Sequence, residues 1–142
     1  MERTWDWLPV ARERPFASCV VVWRAAASGR EFLLLHRAHL GSEFEGDWAW
    51  TPPAGARQPD EEPDDAAVRE LREETGLELE LTLMESPHPD VAYYVAEAPP
   101  DTDITLDAEH DAHRWLPLEA AAELCLPVTV ADGLRAAATA LS

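Results

Sequence analysis

The chain has 142 residues, 46% of them apolar, which is enough for one globular domain with a real core. Its formal net charge is −17, and all 11 cationic side chains are Arg. That balance argues against a duplex nucleic-acid or anionic-membrane partner, because binding to either rests on a basic footprint. Residues 1–15 read as an irregular lead-in to a single domain spanning 1–142. The lead-in carries acid and lacks the apolar run of a signal peptide. No run elsewhere approaches membrane-spanning length, so the cytoplasm is the expected location. Trp5 and Trp7 are expected to pack on the domain or at a dimer contact, leaving monomer and homodimer both open.

From Phe16 to Arg24 the chain is rich in Val and aromatics, which predicts a buried strand. A turn from Ala26 to Arg30 and a second strand from Phe32 to Arg37 complete a hairpin-linked pair. His36 and His39 lack ligand spacing and read as strand-end polar residues. Gly41 to Asp47 is a Gly-punctuated loop. Trp48 to Thr51 predicts a short strand, and Pro52-Pro53-Ala54-Gly55 an extended turn, since each ring fixes φ and restricts the residue before it.

Pro63 suits a first helical turn and Gly76 the position just past a last one, so a helix is predicted between them. At about 100° per residue, Ala67, Val68, Leu71 and Thr75 share one apolar stripe. Glu70, Glu73 and Glu74 fall together at the edge of the other side. Such a charge run reads first as a solvated acidic face. The alternative is a hard-cation site, with carboxylates on a rigid element and with water and substrate phosphate completing the shell.

Leu77 to Met84 alternates Leu with Glu or Thr, the period of a half-buried strand. Val91 to Ala96 predicts another, and the stretch from Glu109 to Leu116 ends in a third. Leu118 to Leu124 has helical spacing. Thr129 is placed to cap a last helix from Val130 to Leu141, with Leu134, Ala138 and Leu141 as its stripe. Cys19 and Cys125 fit no metal spacing and are expected to be buried thiols. Strands, a helix, more strands and a helical end give an α/β chain with helices packed on a mixed sheet.

The loop before the acidic helix decides between the two accounts of its charges. Gly55, five residues, Glu61, seven residues, then Arg69-Glu70-Leu71-Arg72-Glu73-Glu74-Thr75-Gly76-Leu77 matches the Nudix box at every fixed position. The chain therefore resembles the Nudix hydrolases. The resemblance implies an α/β/α sandwich with the box helix packed on the sheet. It also implies metal-dependent cleavage of a nucleoside diphosphate linked to another group, using Mg²⁺ or Mn²⁺. Carried over on matching positions, Glu70, Glu73 and Glu74 would hold metal, with the Ala54 carbonyl as a further contact. Glu70 is also a candidate for handling the attacking water. Glu61 and Arg69 match a pair that braces the loop against the helix.

Trp50-Thr51-Pro52-Pro53-Ala54-Gly55 also resembles the W-T-P-P-K-G segment of asymmetric dinucleoside tetraphosphate (Ap4A) hydrolases. Ala92 to Glu97 and Glu109-His110-x-x-x-Arg114-Trp115-Leu116 extend that likeness. On it, Glu109 joins Glu70 and Glu74 as catalytic and as a metal contact, Tyr93 matches a base-contacting aromatic, and Gly55 borders the substrate. The expected reaction is Ap4A to ATP and AMP. The Glu109 pattern is shared with dihydroneopterin triphosphate pyrophosphatases, so release of pyrophosphate from a nucleoside or pterin triphosphate is the alternative. A nucleotide-binding module without turnover is a third reading. This chain departs from the pattern in having Ala54 for the Lys, Asp60 for a Gly, and a short segment from Met84 to Val91.

Overall fold

A computed structural model describes residues 10–27 and 29–142. In chain order the elements are β1 (Ala17–Ala26), β2 (Gly29–Arg37), a 3-10 turn (Ala38–Leu40), β3 (Trp50–Thr51), β4 (Ala54–Ala56), α1 (Pro63–Thr75), β5 (Thr82–Leu83), β6 (Val91–Glu97), β7 (His110–Leu116), α2 (Leu118–Leu124) and α3 (Val128–Ala140). Trp5, Trp7 and the first nine residues of the lead-in lie outside the described residues.

β1 is the strand the sheet is built around. Alternate side chains leave a strand on opposite faces, so Val20 and Val22 face one way and Cys19 and Val21 the other. β6 runs parallel to β1 over Ala17–Trp23. A parallel pair needs a long crossover, and α1 lies within it. α1 covers the first face, where Ala67, Leu71 and Leu77 meet Val20, Val22, Leu33, Leu35, Tyr94 and Ala96. α2 and α3 cover the second, where Ala121, Ala122, Val130, Leu134 and Ala137 meet Val21, Phe32, Leu34, Tyr93 and Val95. The result is the expected α/β/α arrangement around a mixed sheet.

The sheet is split, and the split positions the site. β1 and β2 pair only at Trp23–Ala26 and Gly29–Phe32. Beyond that they part. β3 takes the freed edge of β2 at Leu35 and His36, and β4 the freed edge of β1 at Ala17–Cys19. Pro52 and Pro53 make the step from one to the other, where a missing N–H costs the ladder least. The Pro53 carbonyl accepts the Val20 N–H at 2.8 Å. The expected extended turn thus ends in a short strand, which carries Gly55 across the top of α1.

α1 has the predicted bounds, with Gly76 in the left-handed region at φ 77 and its N–H on the Arg72 carbonyl. Its buried face differs from the predicted stripe. Val68 is 45% exposed, while Ala66 and Glu74 are buried beside Ala67, Leu71 and Thr75. A wheel centred between Ala67 and Glu74 puts Glu70 inside this face as well. The carboxylates therefore do not all lie at the outer edge. Thr75 turns its hydroxyl back to the Leu71 carbonyl at 2.6 Å and accepts the Leu77 N–H, closing the helix end.

Other boundaries moved for physical reasons. The Leu77 to Met84 alternation is real, since Leu77, Leu79 and Leu81 all pack on the core under α1. Only Thr82 and Leu83 find a backbone partner, because period two reports side-chain direction and not a ladder. Trp48 stands at φ 66 and is half-exposed, so the strand starts at Trp50. α3 starts at Val128 behind Pro127, and no side-chain cap from Thr129 is used. Asp60, where the resembled pattern has Gly, is held at φ 64, which is the conformation a Gly would adopt freely. Cys19 and Cys125 are buried free thiols, as expected, and burial pushes the Cys125 thiol up to about 12. Among the described residues no helix is long and apolar enough to cross a membrane.

Candidate active site

The site forms where the Pro53–Ala56 step crosses α1. A Cβ on Gly55 would lie 2.2–2.4 Å from the carboxyl atoms of Glu70, so any side chain there would push that carboxyl group out of its place. Its neighbour Ala54 donates its N–H to Glu74 Oε1 at 3.2 Å. Glu74 is 2% exposed. Burial holds its carboxyl well above the usual range, and the hydrogen-bonded Glu70 carboxyl adds to the shift. Two carboxyl groups in contact, one of them taken out of water, require a shared proton or a cation.

Arg69 fixes this pair from behind. Its Nε and Nη2 donate to the two oxygens of Glu61 at 2.8 and 3.0 Å, a bidentate fork. Nη1 reaches Glu70 Oε1 at 2.8 Å and Glu73 Oε2 at 3.2 Å, and Nη2 also donates to the Ala56 carbonyl at 3.1 Å. The guanidinium therefore joins the loop, β4 and α1. It holds the Glu61 carboxyl below the usual range, helped by the Gln58 N–H. The expected brace of Glu61 against Arg69 is what the geometry has.

The other expected residues are placed as follows. Glu73 sits at the rim, with its side chain 53% exposed and turned to Arg69. Glu109 is exposed at the start of β7, its carbonyl accepting the Ala38 N–H at 2.8 Å. Tyr93 lies on the α3 face, 6% exposed, with its ring over Gly133. So Ala54, Gly55, Glu70 and Glu74 come together, Glu61 and Arg69 back them, and Glu73 turns to Arg69 at the rim, while Glu109 stands in sequence next to His110 and Tyr93 lies on the other face of the sheet. Among the described residues no three His, Cys, Asp or Glu side chains converge as a ready metal cage. A hard divalent cation that keeps its waters and shares substrate phosphates needs only one or two carboxylates, and the Glu70–Glu74 pair with nearby carbonyl oxygens fits that donor set.

Three residues escaped the sequence reading. Arg57 is buried and donates to three carbonyls, Glu61 and Glu13 at 2.6 Å and Pro15 at 2.8 Å, which ties the box loop to the residues before β1. A lone Arg inside the box loop of a strongly acidic chain is the available signal. His110 is buried beside Glu74. His36 is not a strand-end polar group: it is 2% exposed, with Nδ1 2.7 Å from Asp111 Oδ1 and Nε2 2.6 Å from the Phe44 carbonyl.

Both His36 nitrogens face acceptors, which only the imidazolium satisfies. Burial alone would lower its pKa, but the Phe44 carbonyl and Asp111 raise it above 6.5. A raised folded pKa gives stability that is complete below 6.5 and is lost as pH rises through the folded value. Thermal melts from pH 6 to about pH 9 should therefore show wild type losing stability relative to His36→Gln. Parallel curves for the two proteins would contradict this account of His36.

The family model described as the NUDIX domain matches residues 14–135. The asymmetrical bis(5'-nucleosyl)-tetraphosphatase of Mus musculus is 36% identical over 107 residues, covering 66% of this chain and 69% of the relative. Its Caenorhabditis elegans counterpart is 32% identical over 120 residues, covering 76% and 83%. Among solved structures, a binary complex of the C. elegans Ap4A hydrolase matches with a TM-score of 0.70 at 28% identity, over 88% of this chain and 96% of that one.

Proposed function

This chain belongs to the Nudix family of hydrolases, whose members use divalent metal ions, and we propose that it cleaves a dinucleoside polyphosphate such as Ap4A to ATP and AMP with Mg²⁺ or Mn²⁺. The observation that carries the chemistry is the Glu70–Glu74 carboxyl pair under the Gly55 backbone. The names of the relatives support the substrate. Glu70, Glu73, Glu74 and Glu109 would hold the metal, with the Ala54 carbonyl. When bound, the metal neutralises charge on the bridging phosphate oxygens and lowers the pKa of water. Glu70, Glu74 and Glu109 are the candidates that would take the proton of the attacking water. Arg69 and Glu61 would keep the loop at its distance from α1, and Gly55, bordering the substrate, leaves room for the Glu70 carboxyl group beside it.

Tyr93, which matches a base-contacting aromatic of the Ap4A pattern, would hold a base by stacking. The substrate is a soluble nucleotide, and the working form is a single cytoplasmic Nudix domain, as monomer or homodimer. A second reading, pyrophosphate release from a nucleoside or dihydroneopterin triphosphate, is favoured by one observation. Ala54 stands where the Ap4A pattern has Lys, which leaves fewer cations for a long polyphosphate. A substrate panel with Mg²⁺ and Mn²⁺, resolved by chromatography, separates the two. ATP and AMP from Ap4A are expected. Brisk pyrophosphate release from a triphosphate with intact Ap4A would overturn the proposal.

A further inference from the structure

Glu74 must hold one orientation if it is to bind a cation in a fixed place, yet its neighbours on α1 offer little to hold it. Ala67 and Leu71 on the same face are apolar, and the Glu70 carboxyl hydrogen-bonded to it is itself meant for the cation. The Ala54 N–H is one anchor, at 3.2 Å on Oε1. The second polar group near that oxygen comes from β7: His110 Nε2 lies 3.7 Å from Glu74 Oε1, with both side chains almost fully buried, at 6% and 3% exposure. On the other side of the ring, His110 Nδ1 lies 2.8 Å from Asp107 Oδ1. A carboxylate on Nδ1 fixes the plane and rotamer of an imidazole, so its Nε2 edge is aimed. Here it is aimed at the same Glu74 oxygen that Ala54 engages.

Asp107 satisfies Nδ1 alone, and the nearly buried Nε2 is left facing the Glu74 carboxyl group. We propose that His110 is a positioning residue: carried by Asp107, it sets the Glu74 carboxylate for cation binding. It acts through Glu74 and is not itself a metal ligand. The inference rests on the metal-site reading above.

Mn²⁺ binding, read by the loss of the free-ion electron paramagnetic resonance signal, tests it apart from turnover. The proteins are wild type, His110→Phe, His110→Gln, Asp107→Asn and Tyr94→Phe. His110→Phe keeps a ring without donors and should raise the Mn²⁺ Kd by roughly 10- to 100-fold, the usual cost of losing a group that orients a ligand. His110→Gln keeps an N–H donor and should recover part of the affinity. Asp107→Asn should fall between. In each case kcat should drop more than KM changes. Tyr94→Phe removes only the tie from the Tyr94 hydroxyl to Asp64, and should lower Tm with Mn²⁺ affinity intact. If wild type binds Mn²⁺ and the folded His110 and Asp107 variants bind it equally well, the positioning role is overturned while the metal site stands. If wild type binds no Mn²⁺, the metal-site reading falls and this inference falls with it. Should His110→Phe fail to fold, His110→Gln and Asp107→Asn decide the question by the same readout.

Discussion

Glu74→Gln is expected to lower kcat by roughly 10²–10⁴-fold while leaving the fold as stable as before or more so. The two effects have one cause. Glu74 is buried and hydrogen-bonded to Glu70, so its charged form is disfavoured in the folded protein. A raised folded pKa means that stability is greatest below the ordinary value of 4.5 and declines as pH rises toward the folded value. An amide of the same shape removes that burden and keeps the Ala54 N–H bond. It also removes the charge that the chemistry requires. Glu70→Gln should lose activity to a similar degree, although there the Arg69 Nη1 contact at 2.8 Å loses its charged acceptor and some stability. Thermal melts and kcat on the same preparations check both. Wild-type turnover in either variant would mean that the carboxylate pair is only a structural feature.

Arg69→Ala should act in the opposite sense on stability. Its side chain is 17% exposed and serves Glu61, Glu70 and Glu73. Removing the one cation leaves three carboxylates facing each other, and breaking such partly buried pairs costs on the order of 3 kcal/mol. Turnover should fall as well, because the loop that carries Gly55 would no longer be tied to α1. Arg69→Lys should recover only part of each, since a point charge cannot reproduce the bidentate fork on Glu61. Urea denaturation gives the stability difference, and an unchanged midpoint for Arg69→Ala would show that the brace is not needed.

Much of this was legible because local chemistry and spacing agree. Pro63 and Gly76 mark both ends of α1, and the fixed positions of the box pair Glu61 with Arg69. β1 is legible in its Val- and aromatic-rich run, and β2 and β6 in short apolar runs bounded by turns. What stayed hidden depends on contacts between distant segments. Periodicity counts a Glu as an outward residue, so Glu74 was assigned to the helix edge although β4 and β7 bury it. His110 meets Glu74 only after β7 has joined β2. His36 looked like a strand end because the acceptors on its two nitrogens come from a loop and from β7. Val68 falls on the apolar stripe yet stays exposed, because helical period does not say which flank of the stripe the sheet covers. The split between β1 and β2 had no sequence signal except Pro52-Pro53, and it is this split that brings Gly55 over Glu70.

The central claim is that this site cuts the polyphosphate of Ap4A asymmetrically, with the reacting phosphate held beside the box helix. Hydrolysis of Ap4A in ¹⁸O-labelled water, with Mg²⁺ or Mn²⁺ and products read by mass spectrometry, tests it most directly. The account predicts ATP and AMP as the products, with a single ¹⁸O on one of them. Two ADP as the sole product, or no incorporation into any Ap4A product while a nucleoside triphosphate releases labelled pyrophosphate or nucleotide, would contradict it.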